Sequence, residues 1–509
     1  MKKILSIMLA LLLVLSAVSF AEEAQSKIVV ALYAEQGMQE AWDAVAEGYE
    51  ALHPEVDVVV DLKPQESYTD WVKALFASEN PEADIVYANL AGSDRNNKTI
   101  NFYDYMYDVS PYSGKEWWEQ FNIAMQDKHD DTGMWDNLSL LGVQVLWFYN
   151  ADIFQEVGLE PPTTWDEFVT VCEKLDAAGY QPLAVPGTYE SFWANQLGWL
   201  AQIYVDQTTR SQIELVRAQP GDWNYDEEID GKFVYDPTDP HNDDTTFVTN
   251  NGLRFYQLFR DGVIRADSEG HKAVWTNFAK LFPKYAGGEN FFGTDKDGMK
   301  ALFMKGEAAI WLDGSWFFSE FLNTMDTATD ESGIKYFNLG TFVMPSMEGE
   351  AFEAPARTIE VATGFLGAVQ KDAEHDELVV DFLKYYSSSE GFGKYYSALL
   401  VNGGGAGLPL VYDVAVTDDR LITMFQNINY IGNCQKGLGQ ALARGLGDDQ
   451  EATRNWYTYS QDFLEGKITV EEWAAKNQEN QYSFLGKVIA ANGINPEDLD
   501  HPENEATGK

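Results

Sequence analysis

The stretch Gly298-Met-Lys-Ala-Leu-Phe-Met-Lys-Gly-Glu-Ala-Ala-Ile-Trp-Leu-Asp-Gly-Ser-Trp316 decides how the rest of the chain is read. Ala301, Leu302 and Met304 give one apolar face at helical spacing, and Gly306 stands where a C-terminal stop belongs. Ala308 to Leu312 is a continuous apolar run, the pattern of a strand covered on both faces. Asp313-Gly-Ser-Trp316 follows, and Gly314 suits a tight turn or a close backbone approach. Ligands of open α/β sheets collect in the crevice beyond the carboxyl ends of the strands, where this reading puts Trp316. A lone tryptophan is more often core filling than a binding group. The flanking residues shift that balance.

Phe303-Met-Lys-Gly-Glu-Ala-Ala-Ile310 together with Gly314-Ser-Trp316 resembles the family 1 extracellular solute-binding proteins, the sugar-binding components of bacterial ATP-driven importers. Their pattern is Phe-x-x-Gly-Lys/Glu-Ala-Ala-Met leading to Gly-Ser-Trp or Gly-Pro-Trp, and its tryptophan commonly stacks on sugar. Tyr149-Asn150 and Phe154 resemble the family's Tyr-Asn-Lys-Asp-Leu-Phe, with Ala151 where lysine is usual. Pro162-Thr-Thr-Trp-Asp-Glu-Phe168 is similar to Pro-x-Thr-Trp-Asp-Glu-Phe, and Phe337 to Pro345 to a strand ending in Met-Pro. Glu360 to Val369 resembles the return strand, with Thr363-Gly364 departing from the usual Gly-Gly. Gly407-Leu-Pro409 resembles the loop at the cleft rim.

Composition sets the outer bounds. The chain has 509 residues, too many for one core and comfortable for two or three lobes. Lys2-Lys3, the apolar run Ile4 to Val18 and Ser19-Phe20-Ala21 read as a secretory signal over residues 1–21, and the fifteen-residue apolar run is too short for a membrane span of about 20 residues. No cysteine lies near the cut, so a free exported protein is expected, not a lipoprotein. Net charge is −46, and losing the two signal lysines makes it more negative. Such a field repels phosphate backbones and anionic headgroups, which argues against nucleic acid and membrane surfaces. Solubility, high-salt adaptation or cationic partners could each account for it. Cys172 and Cys434, far apart in sequence, are expected to be unpaired, with Cys172 a small buried hydrophobe among Phe168, Val171 and Leu175.

Taken in order, Lys27–Tyr33, Val56–Asp61 and Ile85–Asn89 are apolar strands separated by helices over 38–53 and around Tyr68, Trp71, Val72 and Leu75. That order implies a parallel, doubly wound α/β sheet. Asp84 reads as a turn residue before the third strand or as a ligand contact. Thr164 and Glu167 form a capping box, and Trp165 is expected to pack. Residues 206–251 look like an insertion rich in Asp, Asn, Pro and Gly. Inside it, Asp226-x-Glu228-x-Asp230-Gly231 begins like a calcium loop, but position 12 falls on Pro237, so a solvated turn is the expected reading. Lys467–Lys476 is a capped helix, and residues 501–509 are expected to fray.

The resemblance implies two doubly wound α/β lobes joined by a hinge, of the periplasmic-binding-protein type II-like fold, with the ligand cleft between them. It divides the chain into an N-terminal lobe over 22–142, a C-terminal lobe over 143–359, a return segment over 360–395 and the last part of the C-terminal lobe over 396–509. The hinge falls near Leu141 to Gln144. The ligand-binding residues it implies are Tyr33, Glu35, Gln36, Tyr87, Asn89, Gln144, Glu190, Trp193, Trp316, Glu360 and Thr363. The implied ligand is a carbohydrate, expected to be an oligosaccharide. The implied partner of the monomer is a membrane permease with its ATPase, and no cofactor is called for.

The chain carries no His-Glu-x-x-His, Gly-x-Ser-x-Gly or Cys-x-x-Cys, and its histidines (His53, His129, His241, His271, His375 and His501) lack metal spacing. Neither a metal centre nor an enzyme is therefore expected. Two other classes stay open at this point. Glu190, Asp313 and Glu360 could converge as the carboxyl pair of an exported glycosidase, and the acidic surface could serve a cationic solute such as a polyamine.

Overall fold

The structure, a computed structural model, describes residues 26–126, 134–194, 196–243, 247–329, 332–416, 418–434, 442–443, 446 and 449–508. The expected signal, residues 1–21, lies outside them. Among the described residues ten strands follow in chain order: β1 (Ser26–Val30), β2 (Val56–Val60), β3 (Ile85–Tyr87), β4 (Leu141–Asn150), β5 (Gln181–Ala184), β6 (Ala308–Gly314), β7 (Leu339–Phe342), β8 (Glu360–Thr363), β9 (Leu366–Ala368) and β10 (Leu408–Pro409). The architecture is mixed α/β with two sheets, divided between two compact units.

The first unit takes residues up to Ser139 with Gly364–Asn402 and Val411–Ala415. Its sheet runs β2-β1-β3-β9, with β1 parallel to β2 and β3, and β9 antiparallel to β3. The helix Met38–Glu50 places Trp42, Val45 and Tyr49 on its buried face. Trp42 stacks on Tyr386 with ring centres 4.6 Å apart and meets Tyr395 edge-on at 5.3 Å. Asp84 stands in the bend directly before β3, as read, but its side chain does not face solvent. It is almost fully buried, accepting the Val29 N–H at 2.7 Å and holding His375 (2.7 Å) and Lys371 (2.6 Å). A buried carboxylate is tolerated only when so engaged, and here it joins β1 to the helix Ala373–Tyr386.

The second unit takes Leu140–Thr363, Gly403–Leu410 and Val416 onward. Ten-residue β4 is its axis. Its first half pairs antiparallel with β8 and β10, and its second half with β6 and β7, while β5 runs parallel to β6. Every residue of β6 is buried, as the unbroken apolar run predicts. The helix before it spans Lys296–Met304, but its buried face is Met299, Phe303 and Met304, and Ala301 is exposed. The capping box of Thr164 and Glu167 forms, and Trp165 is buried, donating its ring N–H to Asn277 O at 3.1 Å. The core gathers Trp147, Phe168, Trp275 and Trp473 among many aliphatic side chains. Cys172 and Cys434 are separately buried in this unit.

Three expectations give way to longer-range contacts. The single return strand over 360–369 is two strands in different sheets, because Gly364 (φ 113°) and Phe365 (φ 37°) turn the backbone out of extended conformation. Residues 206–209 belong to the buried helix Gln196–Thr209, and in the loop beyond it Asp230 spends both oxygens on backbone N–H groups of Asp226 (3.0 Å) and Thr249 (2.7 Å). The described part of the segment 501–508 is held, since Pro502 O accepts from Trp223 and Asn251 and Thr507 bonds to Asp498 through both its N–H and its hydroxyl.

Candidate functional site

Candidate residues of the second unit meet where β4 and β6 end their pairing. Val145 lies opposite Gly314, and the ladder continues one step further. Ser315 N–H donates to Gln144 O at 2.8 Å, and Gln144 N–H donates to Ser315 Oγ at 3.2 Å. Trp316 is thus delivered beside Gln144. On its other side Gln144 pairs with Glu360 of β8. Gln144 Nε2 donates to Asn429 O at 3.0 Å, and Glu360 Oε1 accepts the N–H groups of Ile431 and Gly432, each at 3.0 Å. Gln144, Glu360 and the segment 429–432 stand in one row along this edge, and Trp316 follows Ser315 at its end.

Each member of the row has a definite state. The Trp316 indole is partly exposed and lies flat over the backbone of Gly314, where a Cβ would come within 2.5 Å of the ring. Trp199 meets it edge-on at 6.1 Å, and the Lys296 ammonium sits 5.7 Å from its centre. Lys296 also lies 3.4 Å from Asp313, a fully buried carboxyl that burial pushes above the usual carboxylate range against the pull of that lysine. Burial likewise raises Glu360, opposed by its two backbone donors. Gln144 Oε1 is buried with no hydrogen-bond partner among the described residues. Tyr430, within the row, is half exposed.

Because β5 runs parallel to β6, with Ala184 opposite Trp311, both strands leave the sheet at the same edge. The loop after β5 is fastened by Gly187 and Thr188 N–H to Thr294 O, each at 3.1 Å. It leads into the helix Tyr189–Ala194, which carries Glu190, exposed, and Trp193, whose side chain lies outside the described residues. Thr363 stands apart from the row. It is an odd number of residues from Glu360, so it points to the other face of β8, and its hydroxyl donates to Leu141 O at 3.3 Å.

In the first unit the candidates follow the carboxyl ends of parallel β1 and β3. Tyr33 packs against Tyr87 at 4.6 Å and edge-on to Tyr68 at 5.5 Å. The Tyr68 hydroxyl donates to Ala31 O at 2.8 Å and accepts from Tyr87 N–H at 3.0 Å, which fixes the cluster. Tyr87 is buried, whereas Tyr33 is partly exposed, with its hydroxyl pushed up to about 12 by burial and then by the Glu35 charge. Glu35 and Gln36 are exposed, and Gln36 Nε2 donates to Asn402 O at 3.3 Å. Asn89 lies in the turn after β3, its Oδ1 buried with no hydrogen-bond partner among the described residues. A groove of about 660 Å³ elsewhere in this unit, between the helices Met38–Glu50 and Ser389–Val401, is lined by none of these candidates.

Sequence reasoning missed Trp199, Tyr430 and Lys296. Trp199 hides in an almost wholly buried helix, Tyr430 sits in a polar loop with no periodicity, and Lys296 is one surface-type lysine among many. Only the folded register brings them to this edge. No group of three or more His, Cys, Asp or Glu side chains arranged to hold a metal ion occurs among the described residues.

Residues 35–391 match the family of bacterial extracellular solute-binding proteins. A multiple sugar-binding protein of Streptococcus mutans serotype c is 22% identical over 251 residues, which cover 49% of this chain and 46% of that protein. The match therefore spans about half the length of that relative. A chitin oligosaccharide binding protein superposes with a TM-score of 0.59 at 18% identity, over 91% of this chain and 99% of the other. A solute-binding protein, RafE, in complex with raffinose gives 0.58 at 16% identity, over 90% and 100%. These neighbours share the periplasmic type II-like fold, and the family match covers well over half of the sequence. The chain belongs to the bacterial extracellular solute-binding proteins.

Proposed function

We propose that this chain captures an oligosaccharide outside the cytoplasmic membrane and delivers it to a permease powered by an ATPase. The observation that carries the reading is the row on the second unit. A partly exposed indole laid over Gly314 follows Ser315, the residue bonded to Gln144, a buried amide whose partner on β8 is the half-buried carboxyl of Glu360. Sugars present apolar ring faces and a fringe of hydroxyls, and this edge offers a flat aromatic for the first with fixed acceptors and donors for the second. Tyr33, Glu35, Gln36 and Asn89 of the first unit supply the same chemistry, a packed aromatic with polar groups around it. The relatives named for sugar support the ligand class, and membership of a solute-binding family supports binding without turnover. Export by a cleaved signal fits the family, and no described helix is long and apolar enough to cross a membrane.

A thermal-shift screen over neutral oligosaccharides and polyamines tests the reading, because a ligand bound only by the native state raises the melting temperature. A shift with glycans and none with polyamines is expected. Shifts confined to polyamines, or release of shortened sugars during incubation, would replace it with a cation receptor or a glycosidase.

A further inference from the structure

Arg454 is held as no other described arginine is. Among the described residues, Arg95, Arg210, Arg217, Arg254, Arg260, Arg265, Arg357 and Arg420 each have a carboxylate within 4 Å. That is the ordinary outcome in a chain with 81 acidic and 35 basic residues. Arg454 has none among the described residues; its guanidinium lies over the Tyr189 ring, 4.2 Å from the centre. The platform beneath it is itself fixed. Tyr189 Oη and Thr453 Oγ1 are 3.0 Å apart, the Tyr189 ring meets Tyr457 edge-on at 5.5 Å, and Tyr457 donates to Gly187 O at 3.1 Å. Tyr189 opens the helix that follows β5, at the edge where β6 delivers Trp316. Lys296, the cation nearest the indole, is already engaged by buried Asp313.

A guanidinium stacked on an aromatic face keeps its in-plane N–H fork open, and that fork matches the two oxygens of a carboxylate. Neutral hydroxyls would not call for a charge held this way, and the surrounding acidic field would repel an anion that met no local cation. We infer that the ligand is an acidic oligosaccharide, a uronic-acid-bearing glycan whose carboxylate is received by Arg454 while a neighbouring ring lies on Trp316. The inference rests on the sugar-receptor reading above and narrows it.

The test is isothermal titration of the mature protein with matched pairs, xylotriose against the same trisaccharide carrying a glucuronic acid branch, and galactotriose against its uronate counterpart. The acidic member of one pair is expected to bind about tenfold tighter or more, with a preference that shrinks as salt rises. Arg454→Gln is expected to erase the preference and leave neutral binding unchanged, with Arg454→Lys in between. Neutral and acidic members binding alike, or Arg454→Gln weakening both equally, overturns the inference and leaves the sugar receptor standing. Binding by no member of either series overturns both.

Discussion

At the scale of single residues, the geometry around Trp316 is set by a missing side chain. Gly314 has ordinary strand conformation, so its role is space: a Cβ there would strike the indole at 2.5 Å. Gly314→Ala is expected to lift the ring off the strand, weaken glycan binding at least tenfold and cost stability of about 1–3 kcal/mol, as overpacking does. Titration of the variant alongside a urea melt checks it, and unchanged affinity would mean the ring's seat does not matter. The close approach of something to Gly314 was legible from sequence, because a glycine at the end of a buried strand weakens the strand and leaves room above its backbone. That the approaching group is the indole two residues on was not. Asp84 shows the same limit: its partners His375 and Lys371 lie almost three hundred residues away, and no local pattern announces them.

At the scale of elements, legibility followed how local the cause was. The capping box of Thr164 and Glu167 is written in four consecutive residues and forms as read. The helix before β6 was read in place, but its buried face was misjudged by the small apolar Ala301, which nothing in a nine-residue helix forbids from facing water. Two elements carry predictions. His271, in the first turn of the helix Glu269–Leu281, is buried with Nδ1 2.8 Å from Ser268 Oγ, and burial pushes its imidazole down to about 4. The unfolded chain takes up a proton near pH 6.5 while the folded one does not. Stability should thus be complete above 6.5 and fall by about 3 kcal/mol as pH drops to 4. Glu360 and Asp313, whose folded carboxyls are raised, act in the opposite sense, so the comparison must be with His271→Gln. Urea melts between pH 7 and 4 should show the variant losing less, and parallel curves would refute the assignment. Arg357 is buried between Asp206 (2.6 Å) and Asp243 (2.5 Å) and also donates to Pro240 O at 3.0 Å, fastening the loop after the helix Gln196–Thr209. Arg357→Met strands buried Asp243 and leaves Asp206 with Arg210 alone, and should cost about 3–5 kcal/mol. A loss under about 1 kcal/mol by urea melt would show that the pair is not desolvated.

At the scale of the whole molecule, the α/β class and the two-sheet build were legible because strand–helix alternation and family-like segments recur along most of the chain. How the chain is shared between units was harder to see. It passes between them after Ser139, Thr363, Asn402, Leu410 and Ala415, and the last two passages enclose a segment of five residues. The candidate row was half legible: Gln144 and Glu360 fall side by side through strand register and Trp316 follows the residue bonded to Gln144, while Tyr430 and Trp199 enter only through tertiary packing. Net charge of −46 is also a whole-molecule property. Self-repulsion weakens as the screening length drops from about 30 Å at 0.01 M salt to about 8 Å at 0.15 M, so the melting temperature should rise across that range. A fall in calorimetry would assign the dominant electrostatics to the ion pairs instead. The central claim, that a sugar ring is held against Trp316, is tested most directly by titrating the best-binding glycan into the wild-type protein and Trp316→Ala. The account predicts one-to-one saturation in the first and a loss of about 2 kcal/mol or more, roughly thirtyfold, in the second. Full affinity in Trp316→Ala would contradict it.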